Sequence, residues 1–385
     1  MKVAIFDAEA IKALPIIRSL GRKGLDIITF SFEILSLGAS SKFVSKNYYL
    51  HDLNIMQIEK IFYKEKPDVI FPLEERTIRF FLDNTSITDG FNFILPEKNS
   101  FSIFNDKSKT IDFVTKLGVN VPKTFVPDSL ESGIKYLNSR KYFPVILKPK
   151  HSSGSRGLKL ANSAHDAIKK LRVSMRKYGY PLIQEFIPAG GKAIGAEFLF
   201  YKGEEILSFS HERIREFPVN GGPSTFCKIY HNINAIEIGR KILKAANYTG
   251  FAMVEFKEHP LSKKLYLMEV NPRPWGSISL PIYAGVNFPV EAVMLFYDPK
   301  NYFKKEISFD KNLFMRWLFP ADLLSIVFNE KYSFYKKMVE IFRAYPNTVY
   351  QIVDKTDIKP LFVMIIKVVS NLFNFEFIKK NLLRK

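Results

Sequence analysis

Residues 250–276 read GFAMVEFKEHPLSKKLYLMEVNPRPWG, and four side chains in that run have the types and spacing to work on phosphate chemistry. Glu255 sits among Met253, Val254 and Phe256, and Glu269 among Leu267, Met268 and Val270, where a strand ordinarily buries hydrocarbon. A buried carboxylate is costly unless it is paired, hydrogen-bonded or bound to a metal. Asn271 adds a third oxygen ligand, and three such ligands with positions left open for water and phosphate are how proteins usually hold Mg²⁺. Arg273 contributes a planar, permanently charged donor suited to phosphate or carboxylate. The plainer alternative is a strand pair whose acids bond local backbone.

The elements around these residues must bring them together. Residues 251–256 and 264–270 both have strand character, and the charged, Pro-containing turn between them predicts a hairpin. In a paired hairpin Glu255 and Glu269 can point into one space with Asn271 just beyond. Upstream, residues 142–150 (YFPVILKPK) predict a strand that carries an inward-looking Lys148, followed at once by Ser152, Ser153, Gly154, Ser155 and Gly157 and a new strand at 158–160. A loop rich in Gly and Ser can present successive backbone N–H groups to an anion, although ordinary hairpin turns use the same residues. Residues 164–179 predict an amphipathic helix, 181–187 (PLIQEFI) a strand beside a flat base, and 195–200 and 205–211 an antiparallel pair turning at Lys202-Gly203. The run 220–225 (NGGPST) is donor-rich and too flexible for regular structure. It reads as a substrate loop around Gly221, Gly222 and Ser224, or as an exposed turn.

The N-terminal third alternates strand and helix: strand over 2–7, helix over 8–20, strand over 26–30, and a further buried strand over 67–72. That order predicts a parallel, doubly wound unit, without the Gly-x-Gly-x-x-Gly of a dinucleotide site. Ligands of such sheets lie at the carboxyl ends of the strands, which makes Asp7, Glu74 and Glu75 candidate substrate contacts or simply loop acids. A helix begins at Asp106-Lys107 and runs to Gly118.

Composition narrows the class. The chain has 385 residues, 47% of them hydrophobic and 25% charged, with 36 Phe and 18 Tyr, so it is globular rather than disordered. A formal charge of +19 favours anionic ligands such as nucleotides, acidic substrates or membrane surfaces. Nucleic acid fits less well, because the basic residues are scattered and no reading motif accompanies them. The single cysteine, Cys227, excludes an internal disulfide and suits a reducing cytoplasm. The first residues read as a mature strand rather than a signal peptide.

Taken in order, Lys107, the Leu-Lys-Pro strand with its Gly-rich loop, the Gln-Glu-Phe-Ile segment, Glu255 and the Glu269-Val270-Asn271-Pro272-Arg273 run resemble the ATP-grasp superfamily, in particular its carbamoyl-phosphate-synthase-like carboxylate-amine ligase branch, over residues 1–300. The fourteen-residue separation of the glutamates and the Glu-x-Asn-Pro-Arg run are specific in combination. The resemblance implies an α/β and α+β fold with three parts: an N-terminal parallel α/β domain over 1–105, an ATP-grasp domain of two α+β subdomains over 106–300 with a lid at about 115–185, and a mostly helical extension over 301–385. It implies that Lys107 and Lys148 bind ATP phosphates, that Ser152, Ser153, Gly154, Ser155 and Gly157 close over them, and that Glu185, Phe186 and Ile187 hold the adenine through backbone groups. Glu255, Glu269 and Asn271 would hold Mg²⁺, or Mn²⁺ in its place, and Arg213 and Arg273 would neutralise the transferring phosphoryl group and an acyl phosphate. One position departs from the family. Relatives carry an acid for the ribose where this chain has Lys192, which leaves Glu197 as the substitute.

The implied activity is transfer of the ATP γ-phosphoryl to a small carboxylic acid, followed by attack of an amine. A bicarbonate-activating carboxylase or carbamoyl-phosphate enzyme is the nearest alternative, and a non-catalytic nucleotide-binding module the alternative from another class. His211 reads as structural or as orienting substrate, Trp275 as packing behind the metal-binding strand, and Cys227 lacks an activating neighbour. The extension carries 15 Lys and Arg against 8 Asp and Glu and ends in the apolar run 361–378. That run is too short and polar to span a membrane. It predicts a helix that packs on its own domain or lies on an anionic membrane surface at the inner face.

Overall fold

The computed structural model describes residues 1–151, 154, 156–219, 221–304 and 312–372. These divide into two compact units, one of 1–95, 225–228 and 273–385, the other of 96–224 and 229–272. The described residues past 300 fall in the same unit as the N-terminal sheet.

In the first unit, strands β1 (Lys2–Phe6), β2 (Asp26–Ser31), β3 (Val44–Tyr49), β4 (Val69–Phe71) and β5 (Asn92–Phe93) form a parallel sheet in the order β3-β2-β1-β4-β5. The central strands are buried on both faces and read as unbroken apolar runs, which is what a parallel sheet covered by helices requires. The first helix, Ala13–Gly21, starts five residues later than its periodicity predicts, because residues 8–12 form turns and a bend. Aromatic rings fill the core. Phe6 and Phe30 stack with centroids 4.1 Å apart, and Phe62 and Phe81 meet Phe6 edge-on.

The second unit contains two antiparallel sheets. Strands β6 (Thr124–Phe125), β7 (Val145–Lys148), β8 (Lys159–Ala161) and β9 (Leu182–Glu185) pair in the order β6-β9-β7-β8, and the helices Leu130–Ser139 and Ala164–Tyr178 contribute to its core through Leu137, Ala167 and Leu171. Strands β10 (Ala193–Tyr201) and β11 (Glu204–Glu216) form the long hairpin that turns at Lys202-Gly203. Chain order then gives β12 (Ser224–Ile229), β13 (Gly250–Glu258) and β14 (Leu265–Asn271). β13 pairs with both β10 and β14. The centre of β12 belongs to the first unit, where it pairs with β15 (Phe314–Arg316), itself parallel to β16 (Thr348–Tyr350).

Period-two alternation gives the sheet made by β10, β11, β13 and β14 two different faces. Ile194, Ala196, Phe198, Ala252, Val254, Phe256 and Val270 point into a core shared with Val114 of the helix Lys107–Lys116 and with Ala235, Ile242 and Leu243 of the helix Ile233–Ala245. The alternate positions carry Gly195, Glu197, His211, Arg213, Glu255, Glu269 and Asn271.

Candidate active site

The β13–β14 register places Glu255 directly opposite Glu269. Their side chains are 18% and 22% exposed, enough burial that two facing carboxylates need compensation. It comes from three sides. Asn271 Nδ2 donates to Glu255 Oε1 at 3.0 Å and to Glu269 Oε1 at 3.2 Å, Arg213 Nη2 lies 2.9 Å from Glu255 Oε2, and Lys107 Nζ lies 3.6 Å from Glu269 Oε2. Asn271 thus turns its amide nitrogen to the carboxylates. Acting as an oxygen ligand would require the opposite amide orientation.

A β-bulge shapes the other side. Glu255 pairs with Glu269 and Phe256 with Leu267, so Met268 is the extra residue of β14. Its carbonyl accepts a hydrogen bond from Lys148 Nζ at 2.9 Å. Lys148 ends β7 in the other sheet of the unit, so this contact anchors the lysine beside the two acids. Burial lowers its pKa, with Glu269 opposing and Lys107 adding to the effect.

Arg213 meets three partners. Besides Glu255 it meets Glu216 Oε2 and the Gly222 carbonyl, each at 3.3 Å. Burial alone would lower its pKa, but the charges of Glu255 and Glu216 outweigh that and raise it. The Gly222 contact depends on a tight loop: the Gly222 N–H donates to the Pro218 carbonyl at 2.9 Å, and a Cβ at Gly222 would stand 2.0 Å from the Phe217 backbone. Gly222 is therefore fixed by packing and supports Arg213. Gly221 precedes it with φ at +126°, and Ser224 opens β12, while Asn220 lies outside the described residues.

Other predicted positions divide in the same way. Lys107 begins its helix behind Asp106, whose carboxylate accepts from the N–H groups of Ser108 and Lys109. Gly154 and Gly157 take positive φ, whereas Ser152, Ser153 and Ser155 lie outside the described residues. In the 185–187 segment the Glu185 N–H donates to the Lys123 carbonyl at 2.8 Å, and the Ile187 carbonyl accepts from Lys257 Nζ at 2.8 Å. Those two backbone groups already serve the fold. Phe186 lies under the Lys257 ammonium, 5.1 Å from ring centroid to Nζ.

One expectation needs correction. Glu197 is fully buried and lies 2.8 Å from His211 Nδ1, so it cannot reach a ribose; it is the partner of the structural histidine. Gly195 makes this pair possible, since a Cβ there would meet His211 Cε1 at 2.4 Å. Trp275 belongs to the first unit, where it is buried edge-on against Phe288. Cys227 is buried in β12.

Arg273 likewise falls in the first unit, where its Nε lies 3.0 Å from Glu75 Oε1 and 3.9 Å from Glu74 Oε2. Lys12, missed from sequence because it sits in an apolar helical pattern, joins this cluster through Glu74 Oε1 at 3.0 Å and the Pro274 carbonyl at 3.1 Å. Asp7 is not an open ligand position: its carboxylate accepts from Thr77 Oγ1 and from the N–H groups of Leu73 and Glu74, fastening the end of β4.

Among the described residues no three His, Cys, Asp or Glu side chains form a metal-holding group; the set in the second unit is two carboxylates and an amide. Such a partial oxygen set suits a hard ion that completes its shell with phosphate and water. Residues 104–277 match the family model of the ATP-grasp domain. Over those residues the chain is similar to the ATP-grasp domain. The carbamoyl phosphate synthase large chain of Thermoanaerobacter sp. (strain X514) is 23% identical over 291 residues, covering 72% of this chain and 27% of that one. The N-terminal section of the corresponding large chain from Aquifex aeolicus is 23% identical over 293 residues, 72% of this chain and 52% of its own length. This chain thus spans about a quarter to a half of the curated relatives it matches. Among solved structures, biotin carboxylase from Campylobacter jejuni in its β-γ-ATP complex superposes with a TM-score of 0.67 at 17% identity, covering 81% of this chain and 74% of that one. The hairpin, its facing acids and Lys148 all fall within the residues that match the ATP-grasp domain model.

Proposed function

We propose that this chain is an ATP- and Mg²⁺-dependent ligase that activates a small carboxylic acid as an acyl phosphate and transfers the acyl group to an amine, releasing ADP and phosphate. The observation that carries the reading is the convergence of Lys107, Lys148 and Arg213 on the facing Glu255 and Glu269, with Asn271 between them. When bound, ATP would supply the phosphoryl group and Mg²⁺ would neutralise and align it. Phosphoryl transfer asks the protein for position and charge cancellation rather than covalent help.

In this reading Glu255, Glu269 and Asn271 would hold the ion, Mg²⁺ or Mn²⁺ in its place, and Lys107 and Lys148 would leave their present partners to meet phosphate oxygens. The carboxylate oxygen of the acid attacks the γ-phosphorus as the bond to ADP breaks, and Arg213 balances the charge that develops. The amine then attacks the acyl carbon, phosphate leaves, and the surplus N–H proton passes to solvent. The loop containing Ser152, Ser153, Gly154, Ser155 and Gly157 would cover the phosphates and exclude the water that would hydrolyse an acyl phosphate. Glu185, Phe186 and Ile187 would flank the adenine, and Gly221, Gly222 and Ser224 would border the acid. Arg273 keeps a role toward the acyl phosphate on the strength of the Glu-Val-Asn-Pro-Arg run alone.

The matched relatives are carbamoyl phosphate synthase large chains and a biotin carboxylase, which makes bicarbonate the first acid to test. The deciding assay measures ADP and phosphate released by purified protein with Mg²⁺ across bicarbonate and a panel of organic acids, with and without amines. ADP formation that requires one acid and one amine supports the ligase. AMP and pyrophosphate would overturn the acyl-phosphate route, and acid-dependent turnover with bicarbonate alone would replace it by the carboxylase reading.

A further inference from the structure

Two helices of the first unit turn apolar faces outward. In the helix Phe334–Phe342 the buried side chain is Glu340, whose carboxylate accepts from Tyr345 Oη at 2.6 Å and faces Arg343 at 3.4 Å, while its carbonyl accepts from the buried Arg316 at 3.1 Å. Phe334, Tyr335, Met338, Val339 and Phe342 lie on the opposite side, with Phe334 81% and Phe342 77% exposed. A surface helix ordinarily buries its apolar stripe and shows its polar one; here polar groups anchor the helix and the apolar stripe meets solvent.

The helix Lys359–Leu372 repeats the arrangement from the other direction. Met364 packs inward with Leu37 and Ile352, supported by Leu361 and Val368. Phe362, Ile365, Ile366 and Val369, at spacings of three and four, remain exposed. Lys367 is fastened to Glu33, which puts the exposed Ile34 next to that ion pair in the chain. Outward apolar surface of this kind marks an interaction site.

The charges beside these faces identify the partner. Lys331, Lys336, Arg343, Lys355 and Lys359 are exposed. Of the acids between residues 323 and 372, Glu340 and Asp357 are buried and Asp354 pairs with Arg18 and Arg22, which leaves Glu330 as the exposed one. Exposed Phe and Tyr interleaved with cations, almost without exposed acids, match the headgroup layer of an anionic membrane. Among the described residues no helix is long and apolar enough to cross one. We propose that the outward faces of these two helices seat the protein on the surface of an anionic lipid bilayer.

The test uses the full chain in co-sedimentation with vesicles of phosphatidylcholine, alone or mixed with phosphatidylglycerol. Wild type should pellet with the anionic vesicles, should do so less as salt rises, and should ignore the neutral ones. The double variants F334E/F342E and F362E/I366E should each weaken vesicle binding at least tenfold with unchanged melting temperature, and K336Q/K359Q should weaken it at low salt only. Wild type that ignores both vesicles, or variants that bind as wild type does, would overturn the proposal. So would light scattering that shows a dimer broken by the variants, which would make a second copy the occupant, or variants that melt lower, which would mean the faces are covered by the chain itself.

Discussion

Glu255 and Glu269 stand at directly opposed positions of two paired strands, a placement that sets two carboxylates against each other in a half-buried site. Like charges so placed oppose the pairing of their strands. The two donor contacts from Asn271 and the flanking Arg213 and Lys107 offset the cost here, and a divalent ion held between the acids would do so more completely.

Replacing Glu269 with Gln should therefore separate stability from function. Without metal or nucleotide the variant should melt within a degree or two of wild type, because the lost Lys107 contact is balanced by relieved repulsion. Mg²⁺-dependent ADP release should fall ~10²-fold or more, the usual scale for removing a group that stabilises developing charge. Wild type should also gain about 2.7 kcal/mol of stability from Mg·ADP at a hundred times its Kd, and E269Q should gain little. A large melting shift from Mg·ADP in E269Q would show that the ion is held elsewhere.

Arg213→Ala tests the cation on the other carboxylate. Its removal leaves Glu255 and Glu216 close together without their shared partner, and burial already raises the pKa of Glu216. Stability at pH 7 should drop by about 3 kcal/mol, since breaking a buried pair from one side strands a charge. Urea unfolding measures this, and the deficit should shrink toward pH 5 as Glu216 takes up a proton more readily in the folded variant than in the unfolded chain. A deficit that stays constant across that range would mean the arginine contributes by packing alone.

Gly195→Ala probes the face on which these groups lie. A methyl there must displace the His211 ring and break its contact with Glu197. The expected loss is about 2–4 kcal/mol, in the range of buried polar pairs and overpacked cores. His211→Ala removes both the clash and the pair, so G195A on that background should cost far less than it does alone. Full additivity of the two changes would refute the steric account.

How much of this was readable from the chain depends on whether a contact is local or distant. The hairpin and its facing acids were legible because two strands joined by one short turn fix register locally, and the fourteen-residue separation of the glutamates suits a pairing across that turn. The Met268 bulge was not, because LYLMEVN reads equally well as an unbroken strand. Glu197 and His211 lie fourteen residues apart across the β10–β11 hairpin as well, yet nothing in their composition distinguishes a pair turned to each other from one turned to a ligand. The strand β3, with exposed Ser45, Lys46 and Asn47, carries little of the apolar signal that revealed β1, β2 and β4. Arg273 was assigned by its neighbours in sequence, whereas its partner Glu75 lies 198 residues away. The outward stripe of the helix Phe334–Phe342 has the periodicity of a core-facing one, and only the polar anchoring of Glu340 shows which side is in.

Lys12 offers a test by pH in the first unit. Burial, reinforced by the charge of Arg273 and opposed by Glu74 and Glu75, brings its pKa down from the ordinary 10.5 to about 8. Between those two values the unfolded chain holds a proton that the folded protein has lost, so stability rises with pH across the window and is flat in this respect below about pH 8. The gap converts to a gain of about 3 kcal/mol by pH 10.5. Lys12→Met should raise stability at pH 7, because it removes a buried charge whose lowered pKa marks it as a net cost while Glu74 keeps Arg273 nearby, and it should abolish the lysine's share of the rise. Denaturant midpoints of both proteins from pH 7 to 10.5 measure the difference directly: curves that converge at high pH are expected, and curves that stay parallel would show that Lys12 remains charged throughout.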